Sequence, residues 1–98
     1  MGKCTSGTLV YMSPQQMDGE AACVADDIYS IGATIYDLLT GRPPFYSGNI
    51  DRQVKEKEAL RMGERRKELG VEAKEIPGVW EEVVAACLAK ERGKRPGG

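Results

Sequence analysis

The chain has 98 residues, 41% apolar and 30% charged, with 14 basic side chains against 15 acidic ones and a formal charge of -1. That length makes one domain at most, with a small buried fraction and a thin stability margin. No apolar run approaches the roughly 20 residues of a membrane span, and the balanced charge supplies no broad positive field for nucleic acid or anionic lipid, so neither a membrane nor a nucleic-acid partner is expected.

Residues 1–24 mix glycine, proline and polar side chains around a short apolar cluster at Leu9, Val10, Tyr11 and Met12. Gly2 and Ser6 fit the N-myristoylation pattern, which is too permissive to carry a membrane role. The stretch predicts loop and then a short helix, because Ser13 is a good N-cap and Pro14 suits the first turn. Residues 25–41 are different in kind. Ile28, Tyr29, Ile31, Ala33, Ile35, Tyr36, Leu38 and Leu39 make a helix apolar on nearly every face, opened by Asp26 and Asp27 and stopped at Thr40 and Gly41. A helix apolar all round must be buried all round, and so short a chain supplies few neighbours. The segment is expected to be the centre of a larger protein.

Residues 42–76 open with Arg42-Pro43-Pro44-Phe45, which the two prolines hold extended. The charged stretch 50–69 follows, with Ile50, Val54, Leu60, Met62 and Leu69 too sparse for a broad stripe. It predicts one or two surface helices with a break at Gly63. In residues 77–98, Pro77 opens a second clear helix, whose Trp80, Val83, Val84, Cys87 and Leu88 recur at three- and four-residue steps. That face is expected to pack, leaving Glu81, Glu82 and Lys90 wet. No strand is expected, so the fold class is mainly α.

Chemistry is scarce. The chain has no histidine, which removes every Ser-His, Cys-His and His-ligated metal arrangement. Neither G-x-G spacing nor G-x-x-x-x-G-K-[ST] occurs, so no phosphate-cradling loop of the usual form exists. The three cysteines, Cys4, Cys23 and Cys87, lack C-x-x-C spacing and are expected as reduced thiols in a cytoplasmic protein. Asp26 and Asp27 form a carboxylate pair, but acidic residues at a helix start already have a reason to be there.

Four strings break this silence: Gly7-Thr8-Leu9-Val10-Tyr11-Met12-Ser13-Pro14-Gln15, Asp27-Ile28-Tyr29-Ser30-Ile31-Gly32, Gly41-Arg42-Pro43-Pro44-Phe45 and Arg95-Pro96. In order and spacing they resemble protein kinases: the end of the activation segment, the start of the central F helix of the large lobe, the loop after it and the arginine that closes the domain. The resemblance implies a single partial kinase domain over 1–98, equivalent to helices F to I, without a sheet. Thr8 suggests serine/threonine specificity, and Gly7, Thr8 and Tyr11 would position the protein substrate. Thr5 or Ser6 would be an activation-segment phosphosite. The residue matching Asp27 anchors the catalytic loop to the central helix. At Gln15 the family usually has a glutamate ion-paired to the arginine matching Arg95, leaving here a Gln15–Arg95 hydrogen bond, and Glu91-Arg92 stands where Asp-Pro is usual.

The parent kinase would use ATP and magnesium. This chain has no glycine-rich loop, strand lysine, His-Arg-Asp or Asp-Phe-Gly, so no catalytic, cofactor or metal residue is assigned and the fragment is expected to be inactive without the missing N-terminal portion. The alternative is a non-catalytic helical interaction or dimerisation module that uses its exposed apolar helix to form homo-oligomers or to capture another chain.

Overall fold

The computed structural model describes residues 10–21, 23–72 and 74–96. They form α1 (Pro14–Met17), α2 (Val24–Thr40), α3 (Ile50–Glu56), α4 (Met62–Leu69), α5 (Gly78–Cys87) and a 3₁₀ turn at Arg92–Lys94. No strand occurs among the described residues, and the mainly α expectation holds.

Local chemistry accounts for the helix ends. Ser13 caps α1 through a capping box: its Oγ accepts from the Gln16 amide at 3.1 Å while Gln16 Oε1 accepts from the Ser13 amide at 2.9 Å. Cys23 precedes α2, and its amide donates to Asp26 Oδ2 at 3.1 Å. Gly41 closes α2 at φ 94, a left-handed conformation that favours glycine, and its amide donates to the Asp37 carbonyl at 2.7 Å.

One side of α2 is the wall of the core. Tyr36 packs with Met62, Ile76 and Val84, while Tyr29 packs with Phe45 and Val54. Between them sits Gly32, where an added Cβ would come within 2.5 Å of the Cys87 Cβ. The missing side chain therefore lets α2 and α5 cross closely. Tyr36 stays polar at its tip, with its hydroxyl donating to the Leu60 carbonyl at 2.7 Å and accepting from Arg65 Nε at 3.4 Å. Burial pushes the pKa of this hydroxyl up.

Two expectations need correction. α2, for which so short a chain supplies few neighbours, has one open face: Val24, Ile31 and Leu38 are 69%, 55% and 79% exposed. They recur every seven residues on the side opposite the Tyr29–Tyr36 stripe, and Leu38 borders a cleft shared with Pro77 and Trp80. The break in the charged stretch falls at 57–61 rather than at Gly63, which lies inside α4. Its cause is Glu81 of α5, whose carboxylate accepts from the Met62 and Gly63 amides, each at 2.8 Å, and so caps α4 at that point.

The outward face of α5 also differs from the expected one. Trp80 and Val83 are exposed, while Val84 and Cys87 are buried. Glu81 is engaged in the cap, and Lys90 donates to the Val54 carbonyl with its ammonium 5.3 Å from the centre of the Phe45 ring. The spacing of apolar residues could not reveal these ties, because each joins parts of the chain far apart in sequence.

Candidate functional site

The turn at residues 10–13 lies along α2 and is held from both ends. The Tyr11 hydroxyl donates to the Asp37 carboxylate, and Ser30 Oγ donates to the Tyr11 carbonyl at 2.9 Å. Ser30 and Asp37 are seven residues apart, two helical turns along one side of α2. The hydrogen bond to Asp37 raises the pKa of Tyr11, with burial and the carboxylate charge acting in the same direction. Next in the chain is the fully buried Ser13, whose Oγ donates to Asp26 Oδ1 at 2.7 Å.

Asp26 is the centre of an ionic cluster. It is 1% exposed, with Arg92 Nη2 at 2.9 Å from Oδ2 and Arg95 Nη1 at 3.6 Å from Oδ1. Burial alone would raise the pKa of its carboxyl. The hydrogen bonds from Ser13, Arg92 and the Cys23 amide, with the charge of Arg92, outweigh that and hold the carboxyl below the usual range.

Arg95 is 2% exposed and saturated with acceptors: Nε donates to the Ala89 carbonyl at 2.7 Å, Nη1 to the Ala25 carbonyl at 3.1 Å and Nη2 to Gln15 Oε1 at 2.7 Å. Its guanidinium also lies 5.2 Å from the centre of the Tyr29 ring. Burial pushes its pKa down. Gln15 Nε2 donates in turn to the Lys90 carbonyl at 2.8 Å. The cluster thus ties the turn and α1 to the start of α2 and to the chain's last described residues.

Of the residues singled out from sequence, Tyr11, Gln15 and Arg95 lie in this assembly. Asp27 does not: it is exposed in the first turn of α2, and Asp26 makes the buried contacts. Thr5, Ser6, Gly7 and Thr8 fall outside the described residues, as does Cys4. Cys23 and Cys87 are free thiols, the first exposed and the second buried. Sequence reasoning missed Ser13 Oγ, Asp26, Ser30, Asp37 and Arg92 as contact residues. The one available signal was the altered charge at positions 15 and 92.

A family model, that of the protein kinase domain, matches residues 3–98. The chain belongs to the protein kinase domain family. It is similar to the probable serine/threonine-protein kinase PknB of Bifidobacterium longum, 33% identical over 89 residues that cover 91% of this chain and 12% of that protein. It is also similar to the serine/threonine-protein kinase PknB of Mycolicibacterium smegmatis, 49% identical over 39 residues, covering 40% of this chain and 6% of that protein. Serine/threonine-protein kinase A of Synechocystis is 46% identical over 43 residues, covering 44% and 8%.

The chain therefore spans 12% or less of the length of these relatives, which are serine/threonine-protein kinases. The family implies ATP and magnesium for a complete kinase. Among the described residues of this segment, no cluster of His, Cys, Asp and Glu could hold a metal ion. No helix among the described residues is long and apolar enough to cross a membrane. What the assembled side chains can do is fix a backbone: the turn at 10–13 is docked by hydroxyl and carboxylate groups and held from behind by buried charge.

Proposed function

We propose that the segment is the substrate-side wall and structural floor of a cytoplasmic serine/threonine protein kinase domain, and that on its own it transfers no phosphate. The observation that carries this reading is the docking of Tyr11 on Asp37 and Ser30, which fixes the turn that follows Gly7 and Thr8 in sequence. Gly7, Thr8 and Tyr11 shape the site for the acceptor residue of a protein substrate, and Thr5 or Ser6 receives the activating phosphate. Asp27, exposed on the open side of α2, anchors the catalytic loop of the complete domain. ATP and magnesium bind to that remaining part, whose groups position and neutralise the transferred phosphoryl.

The test is direct. Magnesium-ATP is expected to leave the melting temperature of the 98-residue chain unchanged, and labelled ATP to leave a generic basic protein unlabelled. A saturable melting shift or measurable transfer would overturn the claim of inactivity.

A second reading is favoured by one observation, the exposed line of Val24, Ile31 and Leu38. In that reading the segment associates with a second copy through this side of α2.

A further inference from the structure

We infer that Asp26, rather than the side chain at position 15, is the counter-charge of the buried Arg95, and so acts as the positioning residue for the turn at 10–13. Arg95 brings a full positive charge into a site where it is 2% exposed. Most of its partners are neutral carbonyls, and Gln15 offers an amide oxygen, which accepts a hydrogen bond without neutralising a charge. Among the described residues, the one carboxylate within ion-pair distance of Arg95 is Asp26, at 3.6 Å.

Asp26 in turn is paired on its other side. Arg92 reaches Oδ2 at 2.9 Å and also contacts Glu20 at 3.4 Å and the Ala21 carbonyl at 2.9 Å. Arg92 is part-exposed, so water and Glu20 support its charge if Asp26 is lost, whereas Arg95 has neither. A buried charge whose partner is removed is strongly destabilising, because its desolvation is left uncompensated. The neutral Gln15 is therefore tolerated beside Arg95 because the negative charge sits at position 26. The same carboxylate accepts from Ser13 Oγ, so the charge is carried by the group that also holds the turn.

This assignment goes beyond the functional reading and stands on the charge geometry alone. It is tested with four forms of the 98-residue chain, melted by circular dichroism at neutral pH: the unchanged chain, Asp26→Asn, Gln15→Glu and the double variant. Asp26→Asn is expected to lower the melting temperature by ~10 °C or more. Gln15→Glu alone should shift it by only a few degrees, but combined with Asp26→Asn it should restore at least half of the loss.

A glutamate at position 15 cannot rebuild the helix cap or the Ser13 bond, so recovery reads charge and not shape. If Asp26→Asn is unfolded at every temperature, the double variant must regain helical signal and a cooperative melt. Additive shifts, an Asp26→Asn chain that melts within a few degrees of the unchanged one, or a double variant that stays unfolded would each overturn the proposal. Those results would leave the functional reading intact, while phosphate transfer by the chain would sink the claim of inactivity and leave this assignment untouched.

Discussion

The two sides of α2 carry similar side chains and meet opposite fates. Tyr29, Ala33 and Tyr36 are almost fully covered, whereas Val24, Ile31 and Leu38 on the far side are mostly exposed. Hydropathy states only that each of these groups gains by leaving water. Whether it does so depends on what the rest of the fold brings against it, and here α4, α5 and the Phe45 loop all come to one side. The contrast shows which side of α2 the described residues cover and which they leave open.

The largest expected effect comes from the covered side. Tyr36→Ala removes a fully buried ring and leaves the Leu60 carbonyl without its donor. Its cost is about 3–5 kcal/mol, the usual range for deleting a buried aromatic, which in a chain of this size should abolish the cooperative melt. A melt unchanged by this substitution would mean that α2 has no covered side in solution. Gly32→Ala probes the same side from the opposite direction, by adding volume. Its Cβ would meet the Cys87 Cβ at 2.5 Å, so α2 and α5 must separate, at a cost of about 1–3 kcal/mol. Urea unfolding would measure it, and Gly32→Ala paired with Cys87→Gly should recover part of the loss.

The acid and alkaline limits of stability divide the covered side into its polar and apolar parts. The folded-state pKa of Asp26 lies below the ordinary aspartate value. Its stabilising contribution is thus fully present above that ordinary value of about 3.9 and is lost as pH falls below it, through the lower folded value. For Tyr29 the sign reverses. Burial pushes its hydroxyl up to about 12, opposed by the charge of Arg95, so the folded chain holds the proton more tightly than the unfolded one. Stability is retained below the ordinary tyrosine value of about 10 and falls as pH rises from there through the folded value. Melting temperatures across both ranges check the two limbs. Tyr29→Phe should make the alkaline limb shallower, Tyr11 and Tyr36 keeping their raised pKa values there, and leave the acid one in place.

Much of this was legible in the sequence, and the remainder was hidden for one physical reason. Ser13-Pro14 and Gly41 act within a few residues of themselves, so their side-chain types suffice to place the start of α1 and the end of α2. The resemblance likewise brought Gln15 to Arg95 across 80 positions, a contact now seen at 2.7 Å. Glu81 capping α4 and Lys90 resting on Phe45 have no local signature, because their partners lie on distant elements. Asp26 was overlooked because the motif begins at Asp27. Of two adjacent acids, the helix turns one into the core and the other to solvent, which composition cannot distinguish.

The smallest change in stability should come from the open side, where it is also the most informative. Ile31→Ser and Leu38→Ser replace exposed apolar groups, and surface substitutions of this kind usually stay within about 0.5 kcal/mol. Their effect should instead appear in association, since contiguous exposed apolar surface drives chains together. Light scattering of the unchanged chain is expected to show self-association that weakens in the double variant, with the melting temperature nearly constant at low concentration. A cleanly monomeric unchanged chain would remove the second functional reading. A large loss of stability in the variant would show that Ile31 and Leu38 are covered within a single copy, and the contrast between the two sides of α2 would then fail at its source.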